Sequence, residues 1–270
     1  MTLPATALRR ARRTALLMAL TGLGGPAWGI TTCTASANTL SFGDVVMNGQ
    51  KDTTATITVH CTTTLSLGLS GRVYVLMCLR IGDGSGGVSG SNRLMKNSFS
   101  DPLTFQISRD PAHSHTWGDA TEYVDLSLTY NAALLVGGSG ETSATMYGRI
   151  PAQTGLAEGT HSSSFAGTDA QIDYRFRDPL LIGPDPTSCT SGGNGGGTIN
   201  FPFTATANVP AACTITSVGT LDFGSVAGLI QADVDQSTTL NFICTGRTPW
   251  QVSLDNGQHA SGSTRRMRMG

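Results

Sequence analysis

The chain contains few charged and few aromatic residues. Charged residues make up 13% of its 270 residues and aromatic residues 6%, whereas soluble globular domains usually have about 25% charged residues. Glycine, with 34 residues, is well above its usual share of about 7%. Low charge and abundant glycine suit short strands joined by tight turns and do not suit long surface helices. The composition therefore favours an all-β protein.

Long apolar runs and basic clusters are also missing. After the N-terminal leader, no stretch is apolar over the ~20 residues that a membrane span needs, so no membrane span is predicted. Four of the 17 basic residues lie in the leader, at Arg9, Arg10, Arg12 and Arg13, and the rest of the chain has 13 basic and 18 acidic residues. A mildly acidic chain of this kind is not predicted to bind nucleic acid.

Residues 1–29 have the three parts of a secretory signal peptide. Basic residues at 9–13 precede an apolar stretch at 14–23, and Gly24-Gly25-Pro26 breaks it before small residues. Cleavage after Ala37 fits the small-residue rule better, but it would remove Cys33 and leave five cysteines. We therefore expect cleavage after Gly29 and a soluble mature protein that is exported.

Six cysteines in an exported chain are most simply interpreted as three disulfides. A zinc site is a weaker interpretation, because the chain has no C-x-x-C pair. The gaps of 27 residues between Cys33 and Cys61 and of 30 between Cys213 and Cys244 are not zinc-site spacings.

Two segments repeat the same order of features. Each has Cys-Thr, Leu-x-Phe-Gly, an alternating strand that ends in a second cysteine, a further strand and an Arg-x-Met element. The matching residues are Cys33, Leu40–Gly43, Cys61, Val73–Leu76 and Arg93–Met95 in the first segment, and Cys213, Leu221–Gly224, Cys244, Trp250–Leu254 and Arg265–Met267 in the second. Five matches in order indicate two copies of one module. The second copy is expected to be incomplete, because the first continues for about 80 residues beyond its Arg-x-Met element.

Apolar and polar residues alternate wherever a pattern is visible, which predicts half-buried strands and an immunoglobulin-type β-sandwich. Ile57, Val59 and Cys61, for example, alternate with threonine and histidine. Residues 191–198 are glycine-rich and are predicted to form a flexible linker. A single alternating strand is predicted directly after them, with its apolar face formed by Ile199, Phe201, Phe203, Ala205, Ala207 and Val209.

The complete set of motifs resembles a known family. Besides the repeated elements, the first copy contains Trp117-Gly118-Asp119, Tyr147-Gly148-Arg149-Ile150-Pro151 and Gly159-Thr160. Together they resemble the spore coat protein U domain, the pilin-like module of archaic chaperone–usher pili. The resemblance implies two immunoglobulin-like, pilin-type β-sandwich domains in tandem, at 30–190 and 199–270, with the second incomplete.

The resemblance also implies assembly by donor-strand exchange. In this process a sandwich without its final strand receives one from a periplasmic chaperone and then from a neighbouring pilin subunit. An outer-membrane usher and an abiotic or host surface are the other implied partners, and no cofactor is implied. Two-domain members look like tip adhesins, so the expected function is a secreted, non-enzymatic pilus subunit that mediates surface attachment and biofilm formation.

The predicted cleavage site gives a separate reason to expect a position at the fibre tip. Cleavage after Gly29 makes Cys33 the fourth mature residue, so no donor strand would precede the first module. Residues 199–209 would then be either the first strand of the second module or a bridge between the modules. Cys78 and Cys189 occur only in the first module and by elimination would pair with each other, with free thiols as the alternative.

Adhesion requires exposed groups, and the best candidates are Leu134, Leu135 and Val136, which precede a Gly-Gly-Ser-Gly turn. Apolar residues at a loop tip would mark an interaction site, but the same run also fits a short buried strand. Leu65, Leu67 and Leu69 raise the same ambiguity.

No catalytic, cofactor or metal site is predicted. Residues 82–87 match G-x-G-x-x-G, but no helix pattern follows and the repeat indicates a loop. His113 and His115 could bind a metal together with Asp110 and Asp119, although a solvated loop explains them better. The alternative function is a monomeric secreted binding module or hydrolase on a β-sandwich scaffold.

Overall fold

A computed structural model describes residues 30–64, 71–119, 121–179, 184–226 and 228–268. The predicted signal peptide and the leucines at 65, 67 and 69 lie outside these ranges. The predictions about them, and about where the signal peptide is cleaved, stay predictions. Among the described residues, no helix is long and apolar enough to cross a membrane.

The described residues form fifteen strands and one 3-10 turn at Gly167–Asp169. The strands are β1 (Ile30–Ala37), β2 (Leu40–Asp44), β3 (Lys51–Thr64), β4 (Gly71–Ile81), β5 (Val88–Ser89), β6 (Asn92–Lys96), β7 (Pro102–Ser108), β8 (Val124–Ala132), β9 (Gly138–Ile150), β10 (Gly159–Phe165), β11 (Ala170–Arg177), β12 (Gly195–Asn200), β13 (Phe203–Val209), β14 (Cys213–Val218) and β15 (Leu240–Cys244).

The first domain is a sandwich of two sheets that share one core. A nine-stranded sheet has the order β1-β3-β9-β7-β6-β10-β13-β2, with β5 paired to β6, and a four-stranded sheet has the order β12-β11-β4-β8. The predicted alternation is visible in β3, where Ile57, Val59 and Cys61 are fully buried while Thr56 and His60 are exposed. The all-β, sandwich-type fold class is confirmed.

The six cysteines form three disulfides, as the sequence predicts: Cys33–Cys61, Cys78–Cys189 and Cys213–Cys244. Cys33 and Cys61 are directly opposite each other on β1 and β3, and their Cα atoms lie 4.0 Å apart. The second module reproduces this arrangement, because Cys213 and Cys244 are partners on β14 and β15 with the same Cα separation of 4.0 Å.

The arginine of the repeated Arg-x-Met element has the same role in both copies. In the first domain, Arg93 Nε donates to the carbonyl of Gly82 at 2.7 Å and Nη2 to that of Ile81 at 2.8 Å. In the second module, Arg265 Nε donates to Asp255 at 2.7 Å and Nη2 to Leu254 at 2.8 Å. Each arginine therefore binds two successive carbonyls.

Arg93 is buried, and burial lowers its pKa to about 10. A third carbonyl, that of Trp117, accepts a bond from Nη2, so the buried charge has several partners. The Trp117 ring is itself fully buried and donates to Leu79 O at 2.9 Å.

Gly148 of the Tyr-Gly-Arg motif is needed for close packing. A Cβ atom there would lie 2.8 Å from the Phe42 ring and 3.0 Å from Leu40. Both of these side chains come from the Leu-x-Phe-Gly element, and both are buried. The two motifs therefore depend on each other, because the backbone of one forms the floor under the side chains of the other.

The predicted flexible linker at 191–198 is wrong for its second half, because Gly195–Asn200 forms β12. This strand pairs with β11, with Gly195 opposite Phe176 and Gly197 opposite Tyr174. A Cβ atom at Gly195 would lie 2.2 Å from the Phe176 ring, and one at Gly197 would lie 2.9 Å from the Tyr174 hydroxyl. The glycines leave room for aromatic rings on the neighbouring strand, which composition alone cannot show.

The described part of the second module buries few of its apolar side chains. It contains one two-stranded sheet, β14-β15, and its apolar residues remain exposed. Leu221 is 46% exposed, whereas the matching Leu40 of the first domain is fully buried. Met267, which matches the buried Met95, is 78% exposed.

Candidate functional site

The segment after the glycine-rich stretch supplies the last strand of the first domain. Strand β13 lies between β10, to which it is antiparallel from Phe165↔Phe203 to Gly159↔Val209, and β2, to which it is parallel at Ala205↔Leu40. Asn208 fixes the far end, since its Nδ2 donates to Asp44 at 2.7 Å. We call β13 the closing strand.

The sequence predicted one strand from Ile199 to Val209, and the structure has two. Strand β12 ends at Asn200 in the four-stranded sheet, and β13 starts at Phe203 in the other sheet. The chain crosses between the sheets at Phe201 and Pro202. Proline lacks an N–H and suits this unpaired crossing. Among the described residues, both strands pair with strands of the first domain, although residues 199–209 lead directly into the second module.

The closing strand fills an apolar groove between β2 and β10. Its inward residues are at most 6% exposed, as is the preceding Phe201; they are Phe203, Ala205, Ala207 and Val209. Phe203 stacks on Phe165 with ring centroids 4.5 Å apart. The groove is thus filled by residues of the same chain.

A loop tied to the outer face of the four-stranded sheet leads to the closing strand. Cys189 forms a disulfide with Cys78 of β4. The two carboxylate oxygens of Asp185 form salt bridges with Arg72 Nη2 and Arg177 Nε, at 2.6 Å each. These ties lie just before β12, so they hold the chain next to the groove that it enters.

Leu134, Leu135 and Val136 form the tip of a tight hairpin between β8 and β9. Hydrogen bonds between Ala133 and Gly137 close the turn, with both N–H···O contacts at 2.9 Å. The three side chains are 45%, 64% and 83% exposed, and Leu135 has a φ of 63°. The structure therefore places them on an exposed turn and not in a buried strand.

The hairpin tip and the second module lie at opposite ends of the first domain. Strand β9 begins at the tip and spans 13 residues, which is about 40 Å at ~3.3 Å per residue. Beyond its other end, Gly246 of the second module pairs with residues 156–158: its N–H donates to Leu156 O at 2.7 Å and its carbonyl accepts from Glu158 at 2.9 Å.

Arg247 completes this contact between the modules. Its guanidinium pairs with Asp101 through two nitrogens and lies 4.3 Å from the centre of the Phe99 ring. The pairing raises the pKa of Arg247 and lowers that of Asp101. The sequence does not indicate this contact, because nothing local to Arg247 points to a partner 146 residues away.

The second module presents an apolar cleft of about 480 Å³ on one face of its sheet. The equivalent face in the first domain is part of its buried core. Phe242 and Trp250 pack edge to face there, with ring centroids 4.7 Å apart. Trp250 is 61% exposed and Ile215 63%. In the first domain, Ile57 and Val59 hold the positions before Cys61 that Leu240 and Phe242 hold before Cys244, and both are fully buried. The remaining lining residues are Cys213, Leu240, Pro249, Gln251, Val252 and Ser253.

The histidines and aspartates considered for a metal site lie on the loop between β7 and β8. The Asp110 carboxylate accepts the N–H groups of Ser114 and His115, and these bonds lower its pKa to about 2, with Ser114 the larger cause. No cluster of three or more His, Cys, Asp or Glu residues suited to a metal occurs among the described residues. Residues 82–87 form the predicted loop, between β4 and β5.

Comparison with known proteins identifies the family. The family model described as "Spore Coat Protein U domain" matches residues 27–168 and 199–270. The second match begins at Ile199, so it includes the closing strand. No curated protein matches the chain.

Two solved structures show weak similarity. One is the CsuC–CsuE chaperone–tip adhesion subunit pre-assembly complex from archaic chaperone-usher Csu pili of Acinetobacter baumannii, at 15% identity, a TM-score of 0.37, and coverage of 86% of this chain and 77% of that chain. The other is AvmM, which catalyses macrocyclization in alchivemycin A biosynthesis, at 9% identity, a TM-score of 0.17, and coverage of 82% and 92%. These TM-scores are too low to decide fold or function.

The family match covers well over half of the chain, and the motifs that carry it have defined structural roles in both modules. The protein belongs to the spore coat protein U domain family.

Proposed function

We propose that the protein is a secreted, non-enzymatic subunit of a chaperone–usher pilus and acts as its tip adhesin. The observation that carries this proposal is the difference between the two modules. The first domain contains its own closing strand, in β13, whereas the second leaves an apolar cleft around Trp250 open among the described residues.

A sandwich whose groove is already filled has no place for a donated strand. The first domain is therefore free to act as the terminal, surface-binding domain. The second module offers the apolar surface that strand addition requires. In this proposal a periplasmic chaperone covers it during export, and a neighbouring pilin subunit replaces the chaperone at the outer-membrane usher.

Surface attachment is assigned to the hairpin of Leu134, Leu135 and Val136. Exposed apolar side chains on a rigid turn can bind an abiotic or host surface by excluding water. The hairpin lies about 40 Å from the second module, by the length of β9. A subunit attached through its second module would thus present the hairpin outward, where it could support biofilm formation.

The adhesive part of the proposal is tested in a deletion strain complemented with variants. Leu135→Ser/Val136→Ser should leave fibres visible by electron microscopy but reduce attachment to polystyrene to the level of the deletion strain. Val46→Ser is the matched control, because Val46 is 62% exposed but lies outside the hairpin. Normal attachment of the double variant would remove the hairpin from the proposal.

The assembly part is tested by co-purification from the periplasm. Trp250→Asp should abolish capture of a co-expressed periplasmic pilus chaperone, since it places a charge in the apolar cleft. Gln258→Ala, an exposed position outside the cleft lining, should leave capture unchanged. Fibres and attachment that are normal in the deletion strain itself would contradict the pilus function.

A further inference from the structure

A small polar cleft lies on the outer side of the first domain and shares no lining residue with either proposed surface. Its volume is about 190 Å³, room for about six water molecules at ~30 Å³ each. Six of its seven lining residues have side chains that can form hydrogen bonds. The lining consists of Asn92, Gln106, Ser108, His113, Thr116, Arg149 and Pro151.

The cleft is built on rigid elements. Its floor comes from β6, β7 and β9, where Gln106 and Arg149 are opposite each other. Its wall is the loop after β7, which Ser108 and Thr116 close as a β-bridge. Trp117 anchors that loop, since its N–H donates to Ile107 O at 2.9 Å and its ring is fully buried. A preformed wall lowers the entropic cost of binding a ligand.

Arg149 is held in one orientation by a carboxylate beside the cleft. Its Nε and Nη2 donate to the two oxygens of Asp52 at 2.8 and 2.7 Å, which lowers the pKa of Asp52. The pair is therefore ionised and electrically balanced. This bidentate geometry uses two of the three guanidinium nitrogens and leaves Nη1 for another acceptor.

His113 is the unusual residue of the cleft. Its side chain is only 8% exposed, its φ is 57°, and its buried Nδ1 has no hydrogen-bond partner among the described residues. Its Nε2 lies 4.0 Å from Asp52. Buried polar atoms without a partner are rare, and strained backbone of this kind is concentrated at ligand-binding sites.

The lining chemistry selects the class of ligand. An apolar ligand would leave the Asn92 amide and the Ser108 and Thr116 hydroxyls without partners. A strongly anionic ligand finds no excess positive charge, because Asp52 neutralises Arg149. The hydroxyl groups of a ligand can both donate and accept hydrogen bonds, so they can pair with the donors and the acceptors of Asn92, Thr116 and Ser108. We propose that this cleft binds one neutral sugar ring of a glycan or polysaccharide.

This inference stands apart from the proposed function. Along β9, Arg149 lies 11 residues from the hairpin end of the strand, or about 35 Å. Glycan binding would give the first domain a receptor that is chemically different from the surface bound by the apolar hairpin. The Leu135→Ser/Val136→Ser variant should therefore bind sugar as the wild type does, which separates the two sites experimentally.

The test is saturation-transfer NMR and titration of the full mature chain. The probes are the methyl glycosides of glucose, galactose, mannose and N-acetylglucosamine, each measured alone. At least one should bind saturably, and Thr116→Val and Asn92→Ala should each weaken its affinity at least about tenfold. Thr129→Val, an exposed threonine on the other sheet, is the matched control and should bind as the wild type does.

Two results would overturn the inference. The first is the absence of saturable binding for all four glycosides. The second is binding that Thr116→Val and Asn92→Ala leave unchanged, which would place the sugar elsewhere. Thermal melts of the variants exclude misfolding, and both substituted side chains lie at least partly exposed, so folding should be preserved.

Discussion

The closing strand makes a quantitative prediction about Phe203. Its side chain is 6% exposed and stacks on Phe165 with ring centroids 4.5 Å apart. Phe→Ala substitutions at such positions cost about 3–5 kcal/mol, through lost burial and the cavity left behind. Domains of this kind are stable by only about 5–15 kcal/mol. Phe203→Ala should therefore remove a large part of the first domain's stability.

Urea unfolding followed by tryptophan fluorescence measures this loss. In a Trp250→Phe background, the buried Trp117 reports on the first domain alone once the leader is removed. Phe203→Ala should lower the unfolding midpoint without changing the slope of free energy against urea. Thr204→Ala, on the outer side of the same strand, should change the free energy of unfolding by less than about 0.5 kcal/mol.

The reasoning would be refuted if Phe203→Ala and Thr204→Ala had the same small effect. That result would mean that residues 203–209 do not belong to the cooperative unit that Trp117 reports. It would also restore the prediction that this segment belongs to the second module.

Three further predictions follow from other contacts. Cys78→Ser/Cys189→Ser opens a loop of 111 residues and should lower the free energy of unfolding by about 2–4 kcal/mol. Urea unfolding measures this loss, and an unchanged urea midpoint would show that the disulfide does not constrain the chain. Burial lowers the pKa of His161, so the unfolded chain binds a proton at this residue more readily than the folded chain does. The free energy of unfolding should therefore keep its full value above pH about 6.5 and fall as the pH drops below it. Urea midpoints measured from pH 7.5 to 5 should show this fall, and His161→Gln should make it smaller. Arg247→Ala breaks the pairing with Asp101 and should increase the radius of gyration in small-angle scattering, whereas identical scattering curves would show that the contact does not hold the modules together.

Local patterns were sufficient to predict the strands and the repeat. Alternation in β3 follows from the side-chain period of a strand, so Ile57 and Val59 could be assigned to the core before any partner strand was known. Four of the six cysteines could be paired because the repeat places one at the start and one at the end of each matching segment, and Cys78 and Cys189 could be paired by elimination. The conserved order of elements within the chain also anticipated that Arg93 and Arg265 occupy equivalent positions.

Long-range pairing is what the sequence could not show. The alternation after Ile199 predicts a strand but does not say which sheet receives it, because the partners β2 and β10 lie up to 165 residues earlier. The glycines at 195 and 197 suggest flexibility when counted as composition, yet each leaves space for an aromatic ring on β11.

The hairpin was ambiguous for a different reason. An apolar run such as Leu134-Leu135-Val136 fits a buried strand as well as an exposed tip. The outcome depends on the turn between Ala133 and Gly137, which requires a positive φ at Leu135. A leucine does not signal that backbone conformation, so no local rule could have selected it.

The central claim is that the first domain is closed by its own chain, while the described part of the second module leaves an apolar cleft open. Native-state hydrogen exchange of the full mature chain tests this most directly, because it reports the opening free energy of each strand separately. The amides of β13 should exchange as slowly as those of β3 and β9 in the first-domain core, and those of β14 and β15 should exchange much faster. Fast exchange in β13, at the rate found for the second module, would contradict the claim.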